Sequence, residues 1–501
     1  MKEGCIINSN NGKRVLMISP NIIGVKGGMN RFMPGLGIMY LAAVLEERGF
    51  HVAIRDTAVE GNDIRIHTDI NSNLEIIGER DETIRDYVAN FKPDLVGISV
   101  LFYTQSAQGQ NVAKIVKSIN PSTLVVIGGN QVSENYASIM KNKNIDYAMI
   151  NECDLVFADF VEAYFSGKDY KKIPGLVYRT DGGLKVNNNN SFIENLDEIP
   201  LPARHLVNME KYFEIGLSHN PYARHPRVGY VMTSRGCPEK CAFCTSPIRW
   251  GRKYRRRSIE NIGLELRQLR DEYKVGEIQF EDDTLSINLK HLHKLCDTIE
   301  PLGLLWNTVN GIRIDYHGRK PEVQDEMFRR MADSGCYQVC FGLESGDQRV
   351  LDELLNKNLK LSTAEPCINA AKKAGLSVHL FLMVGFPGEA LEEMERTIAY
   401  AKMLGPDSCS ISIFTPLPGT SLYKYAYEND YFVDGFTEDN ILFAKSNIKI
   451  PGFTPEEFEK QVMAWTNELN NELKKRDPGK FHEKYKRFLD KDKSITFMKH
   501  T

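Results

Sequence analysis

The sequence lacks the features that mark membrane, secreted and nucleic-acid-binding proteins. No apolar run approaches the roughly 18 residues of a membrane-spanning helix, and residues 1–5 contain no apolar core of a secretion signal. The net charge of -3 offers no basic excess for binding a nucleic acid. We therefore expect a cytoplasmic protein whose partners include neither a membrane nor a nucleic acid.

Cysteine is also scarce. Ten cysteines in 501 residues are few for a disulfide framework, which is therefore not expected. Three of the ten are close together in sequence, and a tight group of cysteines in a reducing compartment indicates metal binding or catalysis. The others are scattered, which is typical of buried apolar side chains. These scattered residues are Cys5, Cys153, Cys296, Cys336, Cys340, Cys367 and Cys409.

The first third of the chain alternates short β-branched runs with helical periodicity. This alternation predicts a parallel, doubly wound, Rossmann-like α/β sheet, which binds ligands at the carboxyl ends of its strands. Residues 175–186, with Asp181-Gly182-Gly183 at their centre, predict a hairpin that closes this unit. The predicted strands are 14–19, 51–56, 94–99, 123–127 and 145–150, and the predicted helices are 35–48 and 105–119.

A second alternation of strands and helices begins at Val228. Six β/α repeats are fewer than the eight of a complete TIM barrel, so a partial (β/α)6 barrel of TIM type is expected. The predicted strands are 229–233, 277–281, 304–309, 337–341, 377–384 and 409–414, and the predicted helices include 259–271 and 389–404.

The last part of the chain predicts a small helical region. Thr454-Pro455-Glu456-Glu457 forms a capping box with proline at the first helical position. An apolar stripe follows at helical spacing and indicates packing on the barrel, although Trp465 could instead contact a cofactor. The stripe consists of Phe458, Val462, Trp465 and Leu469.

Composition shifts suggest where the domains meet. The polar tract Asn187–Asn190 and the prolines Pro200 and Pro202 indicate a linker. We therefore predict a first domain over 1–195, a linker over 196–225, the barrel over 226–425 and the helical region over 426–501.

The cysteine group carries the strongest chemical signal in the sequence. Cys237, Cys241 and Cys244 form a CxxxCxxC pattern directly after the first predicted barrel strand. Three thiolates on one loop can hold three irons of a four-iron cluster and leave the fourth iron without a protein ligand. A structural zinc site would need a fourth cysteine or histidine at a regular spacing, and none is evident nearby.

This pattern resembles the radical S-adenosylmethionine (SAM) superfamily, and the resemblance extends from Val228 to about Tyr423. It implies that the open iron chelates the amino and carboxylate groups of SAM, and that reductive cleavage of SAM releases a 5′-deoxyadenosyl radical. The three cysteines would then be both the metal ligands and the catalytic residues. The resemblance also implies SAM contacts, which are Phe243 beside the adenine, Glu281, Asp282 and Asp283 near the amino group, Asn310 and Arg313 near the carboxylate, and Glu344 and Ser345 at the ribose.

Four segments keep two interpretations. Residues 281–283 could simply cap the following helix. The segments Val384–Glu389 and Thr415–Thr420 match family segments near SAM and substrate, or only set tight turns. The basic segment Trp250–Arg257 could bind an anionic cofactor or substrate, or remain a solvated run of charge.

The α/β domain before the barrel resembles the cobalamin-binding branch of radical SAM enzymes. Matching pieces include Pro34-Gly-Leu-Gly37, Val96-Gly-Ile-Ser99 and Val126-Ile-Gly-Gly-Asn130. The DxHxxG motif of other cobalamin proteins is absent, and Asn130-Gln131 replaces the family's usual Pro-His. The implied cobalamin contacts are Ser99, Leu101, Tyr103, Gly128, Gly129, Asn130, Gln131 and Glu152. A domain of this type without cobalamin is the alternative, and nicotinamide binding is disfavoured because no GxGxxG follows the first strand.

The resemblance implies a cobalamin-dependent radical SAM methyltransferase. The deoxyadenosyl radical would abstract hydrogen from an unactivated carbon of a small metabolite, the carbon radical would take the methyl group of methylcobalamin, and a second SAM would remethylate the cobalamin. An external donor such as flavodoxin or ferredoxin would supply the electron. The basic segment permits a phosphonate or nucleotide-linked substrate.

Other functions remain open at this point. They are a cobalamin-dependent cyclase or rearrangement enzyme similar to the anaerobic porphyrin cyclase, and a non-catalytic iron-sulfur or cobalamin carrier. A tRNA methylthiotransferase is disfavoured, because that group carries three further cluster cysteines where this chain has only Cys5 and Cys153.

Overall fold

The computed structural model describes residues 12–482 apart from 29, 69–72, 189–191, 315–319, 439–440 and 442–444. Cys5 and the predicted linker positions Asn189 and Asn190 lie outside the described residues. The chain divides into two compact units. Unit 1 comprises the described residues up to Lys26 together with Pro34–Glu214, and unit 2 comprises the described residues of Gly27–Met33 and those from Ile215 onward.

Unit 1 contains a sheet of seven strands in the order β10-β9-β8-β7-β6-β1-β3. The five strands from β8 to β3 are parallel, and β9 and β10 form the predicted antiparallel hairpin at one edge. A small antiparallel sheet, β2-β5-β4, was not predicted. The strands of unit 1 are β1 Arg14–Ser19, β2 Ile22–Val25, β3 His51–Asp56, β4 Arg65–Ile66, β5 Leu74–Ile77, β6 Leu95–Ser99, β7 Leu124–Gly128, β8 Tyr147–Met149, β9 Leu176–Thr180 and β10 Gly183–Val186.

Helices cover both faces of this sheet. One apolar core packs α1 and α6 on one face, and a second packs α3, α4 and α5 on the other. The strands are therefore buried on both sides, which explains their continuous apolar runs. The predicted doubly wound α/β fold is confirmed. The helices are α1 Leu36–Glu47, α2 Thr57–Glu60, α3 Asp81–Phe91, α4 Ser106–Ile119, α5 Asn130–Ile139, α6 Asp154–Phe165 and α7 Met209–Ile215.

Unit 2 contains six parallel strands in the order of the chain, β11-β14-β15-β16-β17-β18. Among the described residues β11 and β18 are the two ends of this sheet, so the predicted partial barrel is confirmed. A short antiparallel pair, β12 and β13, lies outside it. The strands are β11 Val228–Val231, β12 Ser234–Arg235, β13 Arg255–Arg256, β14 Glu277–Phe280, β15 Leu305–Ile312, β16 Cys336–Glu344, β17 Ser377–Val384 and β18 Ser408–Ile413.

The helices of unit 2 follow the strands as the β/α pattern requires. They are α8 Ser246–Trp250, α9 Ile259–Asp271, α10 Leu289–Ile299, α11 Pro321–Asp333, α12 Ala364–Lys373, α13 Leu391–Leu404, α14 Ser421–Glu428 and α15 Pro455–Arg476. In the described part of the chain, none of the helices is both long and apolar enough to cross a bilayer.

Helix α15 covers the edge strand β18. Its predicted capping box forms, because the Thr454 N–H donates to Glu457 Oε2 at 2.9 Å and the Glu457 N–H donates to Thr454 Oγ1 at 3.3 Å. The predicted apolar stripe is buried. Asn470 bonds to both backbone groups of Cys409 on β18, over 3.1 Å from the N–H and 2.9 Å to the carbonyl. The helix thus satisfies backbone groups that an edge strand leaves open.

Candidate active site and cofactor sites

The cysteine loop leaves the barrel after β11 through the short β12–β13 pair. Gly236 links β12 to the loop with φ of 88°, and a Cβ there would lie 2.3 Å from the Lys253 carbonyl oxygen. Glycine is therefore required at this position. Further along, the Ala242 N–H donates to the Leu355 carbonyl at 2.8 Å, and the Ala242 carbonyl accepts from the Leu422 N–H at 3.0 Å. The loop is thus held by the segments that follow β16 and β18.

The three cysteines of this loop are half-buried free thiols. Burial raises the pKa of each thiol, to about 12 for Cys244, and Cys241 interacts electrostatically with both Cys237 and Cys244. Among the described residues, no group of histidine, cysteine, aspartate or glutamate side chains converges on a single ion. A four-iron cluster places each thiolate on a different iron, so three neighbouring thiols on one loop fit such a cluster.

Charged side chains from the loop itself and from three other segments surround Cys241. Lys357, Glu344, Arg313 and Glu239 all act on the pKa of its thiol. Lys357 Nζ lies 3.2 Å from Glu344 Oε1, and Arg313 Nη1 lies 3.1 Å from Glu239 Oε2. All four side chains are largely buried, at 11–14% exposure. The structure thus brings two of the predicted SAM contacts, Arg313 and Glu344, to the cysteine loop.

Arg313 and Glu344 are also restrained by their own local structure. The Arg313 guanidinium also donates to the carbonyls of Lys357 and Asn358, at 3.3 and 2.8 Å. Glu344 has φ of 65°, an uncommon conformation for a residue other than glycine. Its neighbour Ser345 is fully buried and bonds to Thr397 over 3.0 Å, so Glu344 is the more accessible side chain of the predicted ribose pair.

The predicted adenine contact, Phe243, lies near Lys357, as Cys241 does. Lys357 Nζ is 5.8 Å from the centre of the Phe243 ring, within the range of a cation–π interaction. The sequence analysis missed Lys357. Its only local signal is the pair of flanking asparagines, Asn356 and Asn358, whose positive φ angles of 48° and 52° fix a tight loop.

The acidic run after β14 divides into three different environments. Asp282 is buried and accepts hydrogen bonds from Thr233 N–H at 3.0 Å, from Thr233 Oγ1 at 2.7 Å and from Ser234 Oγ. Burial raises its pKa to about 6, while the bonds from Ser234 and Thr233 oppose that rise. Asp282 therefore ties β14 to the start of the cysteine loop.

The other two acidic residues face different partners. Asp283 accepts from Ser246 Oγ and raises the pKa of Cys237 and Cys244. Glu281 is reached by Asn310 Nδ2 at 3.2 Å and by His219 Nδ1 at 3.0 Å, so the predicted residues Glu281 and Asn310 do come together. The helix-cap interpretation of this run was wrong, because Asn288 caps α10.

The basic segment 250–257 contains both buried and exposed cations. Arg257 forms a buried ion pair with Glu265, and Arg255 is buried with its Nη2 on the Trp250 carbonyl at 2.8 Å. The exposed cations of the segment are Arg252, Lys253 and Arg256. Only these three remain candidates for contact with an anion.

The predicted segment Val384–Glu389 forms a closed turn. Glu389 Oε2 accepts the N–H groups of Gly385 at 2.7 Å and Phe386 at 3.0 Å. Burial raises the pKa of this carboxyl to about 8. The turn interpretation accounts for Glu389, whose carboxyl holds the turn through these two bonds.

In unit 1, the predicted cobalamin contacts gather at the carboxyl ends of adjacent strands. Ser99 ends β6 and is paired with Gly128, which ends β7. Gly129 has φ of 116°, and a Cβ there would lie 2.2 Å from the Val100 carbonyl oxygen. Glycine is therefore needed for the close approach of these two turns.

Side chains in these turns include an unsatisfied amide. Gln131, in the first turn of α5, is 1% exposed, and neither atom of its amide has a hydrogen-bond partner within the described residues. Leaving buried polar atoms without partners is costly, so a ligand with both donor and acceptor groups fits this position. Cobalamin, which carries several carboxamides, is such a ligand.

The other predicted contacts have internal partners. Tyr103 donates to Glu134 at 3.1 Å, and the Leu101 N–H donates to Gln105 Oε1 at 3.1 Å. Glu152 is buried after β8 and accepts the Ile193 N–H at 2.9 Å, which indicates a structural contribution. Asn130 begins α5 and is half-buried.

The scattered cysteines lie outside these sites. Five of them are buried, and Cys153 is half-buried with its thiol donating to the Ile150 carbonyl at 3.1 Å. The buried residues are Cys296, Cys336, Cys340, Cys367 and Cys409. The prediction that most scattered cysteines are buried is confirmed.

Known proteins share both parts of this arrangement. The model of the radical SAM superfamily matches residues 231–401, and that of the B12 binding domain matches residues 29–161. Cytidylyl-2-hydroxyethylphosphonate methyltransferase of Streptomyces wedmorensis is 31% identical over 88% of this chain and 86% of its own length. An uncharacterized methyltransferase of Pyrococcus horikoshii is 33% identical over 83% of this chain and 84% of its own length.

Solved structures share the fold at lower identity. The radical SAM methyltransferase TsrM from Kitasatospora setae superimposes with a TM-score of 0.68 at 16% identity, over 94% of this chain and 90% of its own. The cobalamin-dependent radical enzyme OxsB gives 0.67 at 14% identity, over 94% of this chain and 71% of its own. A further relative, matched by sequence, is the anaerobic magnesium-protoporphyrin monomethyl ester cyclase of Rubrivivax gelatinosus. It is 26% identical over 82% of this chain and 69% of its own length.

The fold and the cysteine loop define a radical SAM enzyme with an amino-terminal B12-binding domain. The chain belongs to the cobalamin-dependent radical SAM methyltransferases, a family to which relatives above 30% identity connect it over most of its length. Its cofactors are a 4Fe-4S cluster, SAM and cobalamin. The predicted family, fold class, enzyme class and cofactors are confirmed, whereas the individual contact residues stay predictions.

Proposed function

We propose that this enzyme transfers a methyl group to an unactivated carbon of a small metabolite that carries a phosphonate or a nucleotide-linked group. The observation that carries the proposal is the 31% identity over nearly the whole length to a methyltransferase whose name specifies a cytidylylated phosphonate. The exposed cations Arg252, Lys253 and Arg256, close in sequence to the cysteine loop, support an anionic substrate.

Within this proposal, each group of residues has a distinct task. Cys237, Cys241 and Cys244 hold the cluster, and Phe243, Arg313, Glu344 and Lys357 orient SAM beside it. When bound, the cluster and SAM supply a carbon-centred radical, and cobalamin supplies the methyl group. The buried Lys357–Glu344 and Arg313–Glu239 pairs fix the charged side chains in advance, so little reorganisation is needed when SAM binds.

The turns of unit 1 have a different task, which is to recognise cobalamin. Ser99, Gly128 and Gly129 stand at the strand ends that would contact cobalamin, and the Gln131 amide would offer it both a donor and an acceptor. No general base is required of the protein at the radical step.

We further propose that an external donor such as flavodoxin or ferredoxin supplies the electron. We also propose that the predicted domain limits near residues 195, 225 and 425 hold.

The decisive experiment is anaerobic turnover with SAM that carries a deuterated methyl group. We expect a labelled methylated product, with 5′-deoxyadenosine and S-adenosylhomocysteine released in equal amounts. The tested substrates are cytidylylated 2-hydroxyethylphosphonate, the free phosphonate, and a matched alcohol without phosphorus. Product formation without deoxyadenosine would contradict the radical methyl transfer, and a product of lower mass without the label would favour a cyclase.

The anionic-substrate part has its own test in a triple variant. Replacing Arg252, Lys253 and Arg256 by methionine should raise KM for the substrate by about 10-fold, since each exposed cation contributes a fraction of a kcal/mol to about 1 kcal/mol. The matched control is Arg329→Met, which removes an exposed cation on α11. An unchanged KM in the triple variant would contradict the contact with an anion.

A further inference from the structure

A short segment before the barrel, Ser218–Asn220, is fastened to side chains of two barrel strands. The Asn220 N–H donates to Gln279 Oε1 at 2.9 Å, and Gln279 Nε2 donates to Ser218 Oγ and to the Asn220 carbonyl, each at 3.3 Å. The Asn220 amide donates to the Tyr337 hydroxyl at 3.1 Å. Ser218, Asn220 and Gln279 are all buried. These bonds fix the backbone on both sides of His219.

This segment positions His219 beside Glu281, in the acidic run after β14. His219 Nδ1 lies 3.0 Å from Glu281 Oε1, and Asn310 Nδ2 lies 3.2 Å from Glu281 Oε2. The exposed fractions are 24% for the His219 side chain and 17% for that of Glu281. One carboxylate therefore receives a donor on each oxygen and still faces solvent.

This arrangement fixes the orientation of the carboxylate. An ionised carboxylate can only accept hydrogen bonds, so His219 must carry its proton on Nδ1. Two donors on different oxygens remove the rotational freedom of the group, while each oxygen keeps a lone pair for a further donor. The position is close to the cysteine loop in space, because Asp283, two residues beyond Glu281, acts electrostatically on the thiols of Cys237 and Cys244.

We infer that His219 is a positioning residue that holds the Glu281 carboxylate ready for the ammonium group of SAM. The inference rests on the predicted contact between Glu281 and SAM within the proposed function. It adds a residue from outside the barrel motifs, carried in by the segment before β11. The surface pair His205–Glu46, at 3.0 Å with His205 61% exposed, provides a matched histidine–glutamate control in unit 1.

The test measures SAM affinity by anaerobic equilibrium dialysis of the reconstituted, unreduced protein. We expect His219→Leu to weaken SAM binding by about 10-fold, the value of one hydrogen bond to a charged group. His219→Asn, whose amide N–H takes the place of Nδ1, should bind within about 3-fold of wild type. His205→Leu should bind as wild type does.

Steady-state kinetics provides a second measurement on the same proteins. KM for SAM should rise in His219→Leu, while kcat at saturating SAM stays within about 3-fold of wild type, because the lost contact is made before the chemical step. If His219→Leu does not fold, His219→Asn compared with His219→Gln, whose amide is one methylene too long, carries the test. Only the asparagine variant should keep wild-type affinity.

Two results distinguish the failure of this inference from that of the underlying contact. Wild-type SAM affinity in Glu281→Gln would contradict the predicted Glu281 contact itself. Weakened binding in Glu281→Gln together with wild-type binding in His219→Leu would overturn only the positioning by His219. Equal losses in the leucine and asparagine variants would overturn it as well, because a donor at the Nδ1 position would then be insufficient.

Discussion

The strand ends of the two units are built from different kinds of groups. In unit 2, charged side chains meet one another in buried pairs around the cysteine loop, such as Lys357 with Glu344 and Arg313 with Glu239. In unit 1, the corresponding turns present glycines, backbone and the neutral amide of Gln131. The charged site suits the zwitterionic amino acid part of SAM, and the neutral site suits a corrin with carboxamides. The predicted contacts therefore match the chemistry of the two ligands.

The largest expected effect is loss of the cluster site while the cobalamin site stays intact. Cys241→Ala should abolish cluster binding and deoxyadenosine formation, because the remaining two thiolates cannot hold three irons. Cobalamin binding should be unchanged. Iron and sulfide analysis and cobalamin titration measure the two properties, and Cys153→Ala is the control that should keep both. Loss of cobalamin binding in Cys241→Ala would break the separation.

A smaller effect is expected when one member of a buried pair in unit 2 is removed. Lys357→Met leaves Glu344 unpaired and should weaken SAM binding by about 10- to 100-fold. The control is Lys360→Met, which removes an exposed partner of Asp352 with 64% of the lysine side chain exposed. Equilibrium dialysis measures both variants. Equal affinities would show that charge pairing in unit 2 does not serve SAM.

The matching change in unit 1 should affect the other cofactor. Gln131→Leu removes a donor and an acceptor from the buried amide and should weaken cobalamin binding by about 10-fold. SAM affinity should stay at the wild-type value. Titration of the apo-protein with hydroxocobalamin gives the affinity, and Gln110→Leu on α4 is the control. Unchanged cobalamin affinity would mean that the amide serves only packing.

The smallest effect concerns Glu389, a buried carboxyl of unit 2 whose Oε2 accepts two backbone N–H groups. Its pKa of about 8, against an ordinary 4.5, means that the folded state keeps a proton which the unfolded chain releases between these values. Glu389 therefore costs no stability below about pH 4, and its destabilising contribution grows as the pH rises from 4.5 towards about 8. Glu389→Gln stays neutral, so its Tm should exceed that of wild type by a few degrees at pH 8 and by less at pH 5.

Thermal unfolding at the two pH values measures this difference. Glu392→Gln, at an exposed position of α13, should give the same Tm difference at both. A pH-independent gain in Glu389→Gln would mean that the carboxyl is not neutral in the folded protein.

Local patterns predicted the fold closely. Strands 14–19, 51–56 and 377–384 and helix 259–271 agree with β1, β3, β17 and α9 at both ends. These elements carry strong apolar periodicity and clear caps, which are encoded within a few neighbouring residues. The small sheet β2-β5-β4 was not predicted, because its strands are only two to four residues long and β2 pairs with β5 across about 50 residues of chain.

The sites were predicted less completely than the fold. The cysteine spacing is local and identified the cluster loop, whereas Lys357 and His219 belong to segments without a motif and reach the site through tertiary structure. The basic segment illustrates the same difference. Its charges are evident in the sequence, but the burial of Arg257 against Glu265 depends on the packing of α9.

The two hydrogen bonds between Asn470 and the backbone of Cys409 have a consequence for truncated forms of the protein. Because α15 stands where a seventh strand would otherwise pair, a fragment ending before Pro455 would expose the backbone of β18 along one side. A strand from a second molecule is the natural replacement, so such a fragment should form edge-to-edge assemblies. Helix α15 thus protects β18 against edge-to-edge pairing, and tags or truncations that disturb this helix should lower solubility before they lower catalytic activity.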